Sequence, residues 1–282
     1  VTIAAVERAF KLLEALAGEA DGADLTVLAE RLDLPVSATH RLLASLTGRG
    51  FVTQDPQSGA YGLTLKLSQL AFRNLDLRGL PDAGQIVLDA LARATREYCR
   101  LAVAEGESLT WIARAQGATA GLRYEPPMGM GVVLHATATG KAWLASLPEQ
   151  EALRIVCARG FESEGRTGPN VLGDVDTLRR HLNETRSRGY ALSVEEGEIG
   201  TVAMATTFRA GPDASAPIAG TLSVAGPLPR MHEARRGEIA TALATAARDM
   251  AAIWPLRRRQ IGTLPTVSSE AALSRLPIET ST

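Results

Sequence analysis

Apolar residues recur along the first part of the chain with the spacing of helices that bury one face. Val6, Ala9, Phe10, Leu13, Leu16 and Ala17 fall on one side of the first such segment, and Glu7, Lys11 and Glu14 on the other. After a loop over 18–23, Asp24 is placed to cap a short helix, Leu25 to Leu32, burying Leu25, Leu28, Ala29 and Leu32. The tight turn Asp33-Leu34-Pro35 leads into a third helix, VSATHRLLASLTGRG, with Leu42, Leu43 and Leu46 inward and Gly48 and Gly50 at its end. Phe51-Val52 and Ala60-Tyr61 then predict two short strands around the turn residues Asp55 to Gly59, a β-hairpin. This order is that of a winged helix–turn–helix. A further helical pattern, Thr64 to Leu80, stops at Gly79 and Pro81 and reads as a linker helix.

Beyond Pro81 the pattern changes. An amphipathic helix is predicted over Ile86 to Tyr98, then a hairpin of Leu101 to Ala104 and Leu109 to Ala113 around Glu105 to Ser108. Gly121 to Leu134 is irregular and rich in Gly, Pro and Met. A helix follows, reaching about Leu147, with others over Glu149 to Arg159 and Val175 to Arg188. Tyr190 to Val194, Ala203 to Phe208 and Ile218 to Val224 are predicted strands, and Ala234 to Trp254 a closing helix. Helices outside an antiparallel sheet make the fold class α+β. The expected domains are 1–63 (winged helix–turn–helix), 64–80 (linker helix), 81–254 (second domain) and 255–282, a poorly ordered, flexible tail holding Arg257, Arg258 and Arg259.

Composition sharpens this only in places. The chain has 282 residues, long enough for about two domains. It is 45% hydrophobic but only 4% aromatic, so its cores are built from Ala, Leu and Val. A formal net charge of −1 excludes a polybasic coat but not a local basic patch. Cys99 and Cys157 are far apart, outside any metal-ligand spacing, and read as small core residues in a reducing compartment. No apolar run reaches the ~18 residues of a spanning helix, and the first residues lack a signal-peptide layout. The expectation is a soluble, cytoplasmic protein that does not engage membranes.

A helix–turn–helix lays its second helix in the major groove and reads bases with that helix's first residues. Here these are Val36, Ser37, Thr39, His40 and Arg41. Arg41 suits a two-bond grip on guanine, while Arg31 and Arg49 flank the helix and suit phosphates. An ordinary three-helix bundle with a polar face is the plainer alternative, but the hairpin and linker helix complete the DNA-binding pattern. Eight Lys and Arg face nine Asp and Glu over 1–78. Affinity must therefore come from a few placed cations and from dimerisation.

LHATATGKAWL, Leu134 to Leu144, resembles the end of a nucleotide-binding loop, yet its leading Gly position is His135 and its hydroxyl position is Ala142. A single carboxylate needs neither. The N-terminus of a helix offers bare N–H groups and partial positive charge. Ala136, Ala138 and Gly140 let an anion approach the backbone, and Thr137 and Thr139 add hydroxyls. Tyr124, Met128 and Met130 before the turn, and Trp143 after it, are candidate apolar walls, although Trp143 falls on an inward helix face and reads as core. His135 is placed either to orient a ligand or to serve as a hydrogen-bonded structural residue. Lys141 is left to pair elsewhere along the helix.

Two stretches of the chain, AVERAFKLLEAL and LTVLAERLDLPVSATHRLLASLTGRGFV, resemble the N-terminal domain of the IclR family of bacterial transcriptional regulators. LHATATGKAWLA is similar to that family's turn-and-helix segment, and RGYALSVEEGEIG and APIAGTLSVAGP to its late strands. Three features depart from the pattern. Asp33 stands where Gly is usual, TVAMATTFRA replaces an Ala-Ala-Pro strand, and a loop over 210–216 is extended. The resemblance implies a GAF-like C-terminal effector domain that binds small organic acids. It also implies a pocket floor of Ser193, Thr201, Ala203, Ser223 and Ala225, added to Tyr124, Met128, His135, Ala138, Thr139 and Gly140. Further implications are dimers through the N-terminal domains, often dimers of dimers, on double-stranded operator DNA, and control of a catabolic operon by repression or activation.

No catalytic, metal or cofactor constellation is read from the sequence. Glu195 and Glu196 are adjacent in an extended segment, so their side chains diverge and read as solvated or turn-capping acids. His181 and His232 lack partners at ligand spacing. The competing class is a hydrolase or transferase using His135, Lys141 and the Glu pair on a helix–turn–helix scaffold; a ligand-blind architectural DNA binder is the third.

Overall fold

The computed structural model describes residues 3–78, 80–129, 131–162 and 167–254, with main chain alone at 75–78 and 80–83. The tail over 255–282, and with it the Arg257–Arg259 run, lies outside the described residues, as does Met130. The chain divides into two compact units, Val1–Leu77 and Arg78–Thr282.

In the first unit, α1 (Ala4–Ala17), α2 (Leu25–Arg31) and α3 (Val36–Gly48) precede a hairpin of β1 (Val52–Gln54) and β2 (Tyr61–Leu63), followed by α4 (Lys66–Arg78). The helices close over Leu12, Leu16, Leu28, Leu43, Val52 and Tyr61. The hairpin is antiparallel, with Val52 opposite Leu63 and Gln54 opposite Tyr61. Ala23 and Tyr61 exchange two main-chain hydrogen bonds of 2.9 Å, so the loop before α2 is stitched to the hairpin. In the turn between α2 and α3, Asp33 adopts φ +50°. That left-handed conformation strains a residue with a Cβ, although Asp tolerates it better than most. It explains why Gly suits this position.

The second unit opens with α5 (Leu80–Thr95), which begins earlier and ends earlier than Ile86 to Tyr98. Pro81 sits in its first turn, where a missing N–H is harmless. Arg96, at φ +53°, ends the helical run, and Tyr98 opens β3 (Tyr98–Glu105) instead of closing a helix. β3 is a central strand buried on both faces, so it shows no polar alternation to mark it in the sequence.

β4 (Ser108–Gln116), β5 (Ala191–Val194), β6 (Thr201–Arg209) and β7 (Ile218–Pro227) complete an antiparallel sheet of order β4-β3-β7-β6-β5. One face packs on α5 and α9 (Glu233–Ile253) through Leu88, Leu101, Met204, Leu222, Val224 and Leu243. The other carries small residues. Ala191 and Ala205 meet Ala138 and Ala142 of α6 (Ala138–Ser146), which lies over β5, β6 and β7. α7 (Glu149–Arg159) and α8 (Val175–Arg188) pack around α6 in turn. Cys99 is buried in the sheet core, its thiol pushed up to about 12 by burial, whereas Cys157, expected in a core, lies exposed on α7.

Among the described residues no helix is long and apolar enough to cross a membrane. For the turn of the first unit, Asp33→Gly is expected to hold or raise stability, while Asp33→Val should cost more than ~1 kcal/mol. Urea unfolding followed by circular dichroism checks this. Equal midpoints for the two variants would rule out a left-handed turn.

Candidate functional site

The exposed side of α3 is formed by Val36, Ser37, His40 and Arg41, four of the five residues expected to reach bases. Thr39 does not join them. It is fully buried, four residues before the core residue Leu43, and its hydroxyl donates to the Pro35 carbonyl at 3.2 Å. The 3.6-residue period puts positions 39 and 43 on one face, so the inward turn of Thr39 was implicit in the spacing. Arg31 and Arg49 are exposed, and Arg31 pairs with Glu19 at 2.7 Å. The Arg49 carbonyl accepts from the Lys66 ammonium, which ties the end of α3 to the start of α4.

In the second unit a cavity of about 390 Å³ opens between the small-residue face of the sheet and the start of α6. Of the residues expected around a ligand, it brings together Tyr124, Ala138, Thr139, Ser193, Thr201, Ala203, Ser223 and Ala225. Met128, His135 and Gly140 are not among its lining residues. His135 is 4% exposed and packs on Phe161, ring centroids 5.1 Å apart, and burial pulls its pKa down. Gly140 serves packing: a Cβ there would lie 2.3 Å from the Leu134 carbonyl oxygen, so only Gly lets that strand of main chain rest on α6. Trp143 is 4% exposed and belongs to the core under α7 and α8.

The N-terminus of α6 is capped by Thr137, whose hydroxyl accepts from the Gly140 N–H at 3.0 Å and donates to the Val133 carbonyl at 2.9 Å. Its donor is therefore spent within the protein, contrary to the expectation that it would serve a ligand. Ser193 likewise donates to the Ala136 carbonyl at 3.0 Å. The N–H groups of Ala138 and Thr139 have no protein acceptor among the described residues, and both residues line the cavity. Such groups at a helix start favour an anion.

The cavity also draws in residues that the sequence reading did not single out. Arg100 of β3 and Trp111 of β4 form part of its lining, with Val133 beside the turn and Gly197, Glu198 and Ile199 at the turn after β5. A regular β3–β4 pairing would place Trp111 on the opposite face. A β-bulge between Leu101 and Ala102 sets Ala102 opposite Trp111, leaves Ile112 against the α5/α9 core, and turns the indole to the cavity side. Bulges leave almost no trace in a single sequence.

Lys141 is wholly buried and forms an ion pair with Glu196, which is 4% exposed. His181 Nδ1 lies 3.3 Å from the same ammonium. Burial pulls the Lys141 ammonium down and pushes the Glu196 carboxyl up, while their contact opposes both. Glu196 was expected to be solvated or to cap a turn; that role falls to Glu195, which accepts from the Gly200 N–H at 2.9 Å. The two carboxylates diverge and form no catalytic pair. Among the described residues no cluster of three or more His, Cys, Asp or Glu could hold a metal ion.

Comparison with known proteins decides the family. The profile described as the IclR helix-turn-helix domain matches residues 5–56, and that of the bacterial transcriptional regulator IclR C-terminal domain matches 72–252. The chain belongs to the IclR family. It is therefore a DNA-binding transcriptional regulator with a C-terminal effector-binding domain, of a family that is not enzymatic. It is 31% identical over 252 residues to the HTH-type transcriptional regulator BhcR of Paracoccus denitrificans, covering 88% of this chain and 86% of that one. Crystal structures that share its fold include the following two. One is an IclR transcriptional regulator from Alicyclobacillus acidocaldarius (TM-score 0.75, 24% identity, 90% of this chain and all of that one). The other is an IclR homologue from Microbacterium hydrocarbonoxydans complexed with 4-hydroxybenzoate (TM-score 0.67, 22% identity, 87% and 98%).

The buried ion pair yields a prediction. Lys141→Met should destabilise the protein by ~3–5 kcal/mol, because it strands the Glu196 carboxylate, whereas Lys141→Met with Glu196→Leu should recover most of that loss. Urea unfolding of wild type and both variants measures it. A double variant no more stable than the single one would show that the pair's charges are not the source of the loss.

Proposed function

We propose that this IclR-family regulator is a one-component switch whose effector is a small organic carboxylate held at the N-terminus of α6. The observation that carries this reading is the pair of unsatisfied N–H groups at Ala138 and Thr139, opening into a cavity of about 390 Å³. The small Ala138 side chain leaves the backbone at the start of α6 open to an anion, and Thr139 and Ser223 add hydroxyls to the same lining. The aromatic rings of Trp111 and Tyr124 beside them suit a flat acid. That the Microbacterium homologue was crystallised with 4-hydroxybenzoate makes aromatic acids the first class to test.

On the DNA side, α3 enters the major groove of operator DNA. Ser37, His40 and Arg41 face base edges beside Val36, and Arg31 and Arg49 face phosphates. The first unit carries little net charge, so occupancy depends on two half-sites read by a dimer, with dimers of dimers for longer operators. The segment 64–80 acts as the linker helix between the two functions. Ligand binding changes transcription of a catabolic operon in the cytoplasm by favouring one arrangement of the DNA-binding units, since only differential affinity shifts an equilibrium.

Two variants separate the roles. Arg41→Ala should lose ~1–3 kcal/mol of specific operator affinity and keep its ligand response, as expected of one bidentate contact. Ala138→Leu fills the approach to α6; it should bind operator normally and no longer respond to acids that shift the wild type's melting temperature. Gel-shift titration and thermal-shift screening against organic acids measure both. An Ala138→Leu protein that responds at unchanged acid concentration would place the ligand elsewhere.

A further inference from the structure

Arg100 is a buried cation with one donor unpaired. It is 9% exposed, and its Nε has no hydrogen-bond acceptor. Its guanidinium stacks over the Trp111 ring, 3.7 Å from the centroid, and the indole Nε1 is itself buried and unpaired. Burial pulls its pKa down, while Tyr124, which is hydrogen-bonded to it, Tyr98 and Glu198 favour its charge. Glu198 lies on the exposed rim and not in the interior. A buried donor left unmade costs free energy, more so on a charged group, and such groups in a native structure call for an acceptor from outside the fold.

Their position says what kind of acceptor. Arg100, Ser223, Ala205 and Ala191 form one row across β3, β7, β6 and β5 on the face that carries α6. α6 lies over β5, β6 and β7, so Arg100 stands beyond it on the next strand of the sheet. Neighbouring strands are ~4.8 Å apart, which puts β3 about 10 Å from β6. The main chain of β3 thus stands well to one side of the α6 N-terminus, although both border the same cavity. A molecule with an acceptor at each end can engage both.

We propose that Arg100 and Trp111 form a second anchor, and that the effector is a bifunctional acid. Its carboxylate rests on the Ala138 and Thr139 N–H groups, and an oxygen acceptor at its far end, a carboxylate or a carbonyl, takes Arg100 Nε–H and Trp111 Nε1–H. The proposal rests on the ligand reading above and adds its specificity. The stacked indole holds the guanidinium in place beside the cavity that both residues line, so the cation's burial becomes selectivity instead of stability.

The test is calorimetric titration of the full chain with matched pairs: adipate against hexanoate, and terephthalate against benzoate. In the wild type one diacid at least is expected to bind ~tenfold or more tightly than its monoacid, the factor that a charge-assisted hydrogen bond supplies. In Arg100→Met the ratio should fall below about threefold. Equal binding of diacid and monoacid by the wild type, or a ratio that survives Arg100→Met, overturns the second anchor and leaves the carboxylate reading standing. Failure of all four acids to bind overturns both. Ligand-free melting is the independent check: Arg100→Met should melt no lower than wild type. A lower melting temperature would show that Arg100 already serves the fold, and overturns the proposal.

Discussion

A charge pair sealed from solvent fixes the two sides of the cavity to each other. Lys141 reaches from α6 to Glu196, and the turn that follows Glu196 carries Gly197, Glu198 and Ile199 along the cavity rim. Two charges withdrawn from water tolerate few geometries, since any separation leaves one of them unsolvated. The helix whose N-terminus faces the cavity and the turn that borders it are thus fixed to each other. The Gly168 N–H, bonded to the Glu196 carbonyl at 2.8 Å, straps a second loop to the same turn.

The space beside that pair exists because side chains are missing. Ala138 and Ala142 meet Ala191 and Ala205, and Gly140 lets the Leu134 main chain touch α6. Larger residues at these positions would push the helix off the sheet or fill the void. Packing on the opposite face is of the usual kind, with Leu, Val and Met from three strands meeting α5 and α9. The sheet therefore divides the labour between its faces, one for cohesion and one for vacancy.

Much of this was legible in the chain. The 3.6-residue spacing locates α1 to α3, and Asp33 marks the turn between α2 and α3, where its φ is +50°. The small residues ahead of Lys141 pointed to a helix start built for close approach, and Thr137 does cap it. What escaped depended on contacts distant in sequence. Lys141 and Glu196 are 55 residues apart, and nothing local says that a lysine within an alanine-rich turn is fully buried. Arg100 stands just before the strand expected over Leu101 to Ala104 and was not singled out, because a strand buried on both faces hides its alternation. Gly140 was read as an opening for an anion and serves packing, and of the two roles open to His135 it takes the structural one, buried against Phe161.

The bulge in β4 has a consequence for how such a sensor diversifies. β4 is the outermost strand on its side of the sheet, paired to β3 alone among the strands. Its extra residue decouples the strand's two halves: Ala113 and Ala115 keep register with the cohesive core, while Trp111 is steered by an offset of its own. Inserting or deleting one residue there would exchange which side chain the cavity meets without disturbing the strands at the centre. Evolution, or an engineer building a biosensor, can retune recognition at that margin while leaving the scaffold's interior untouched.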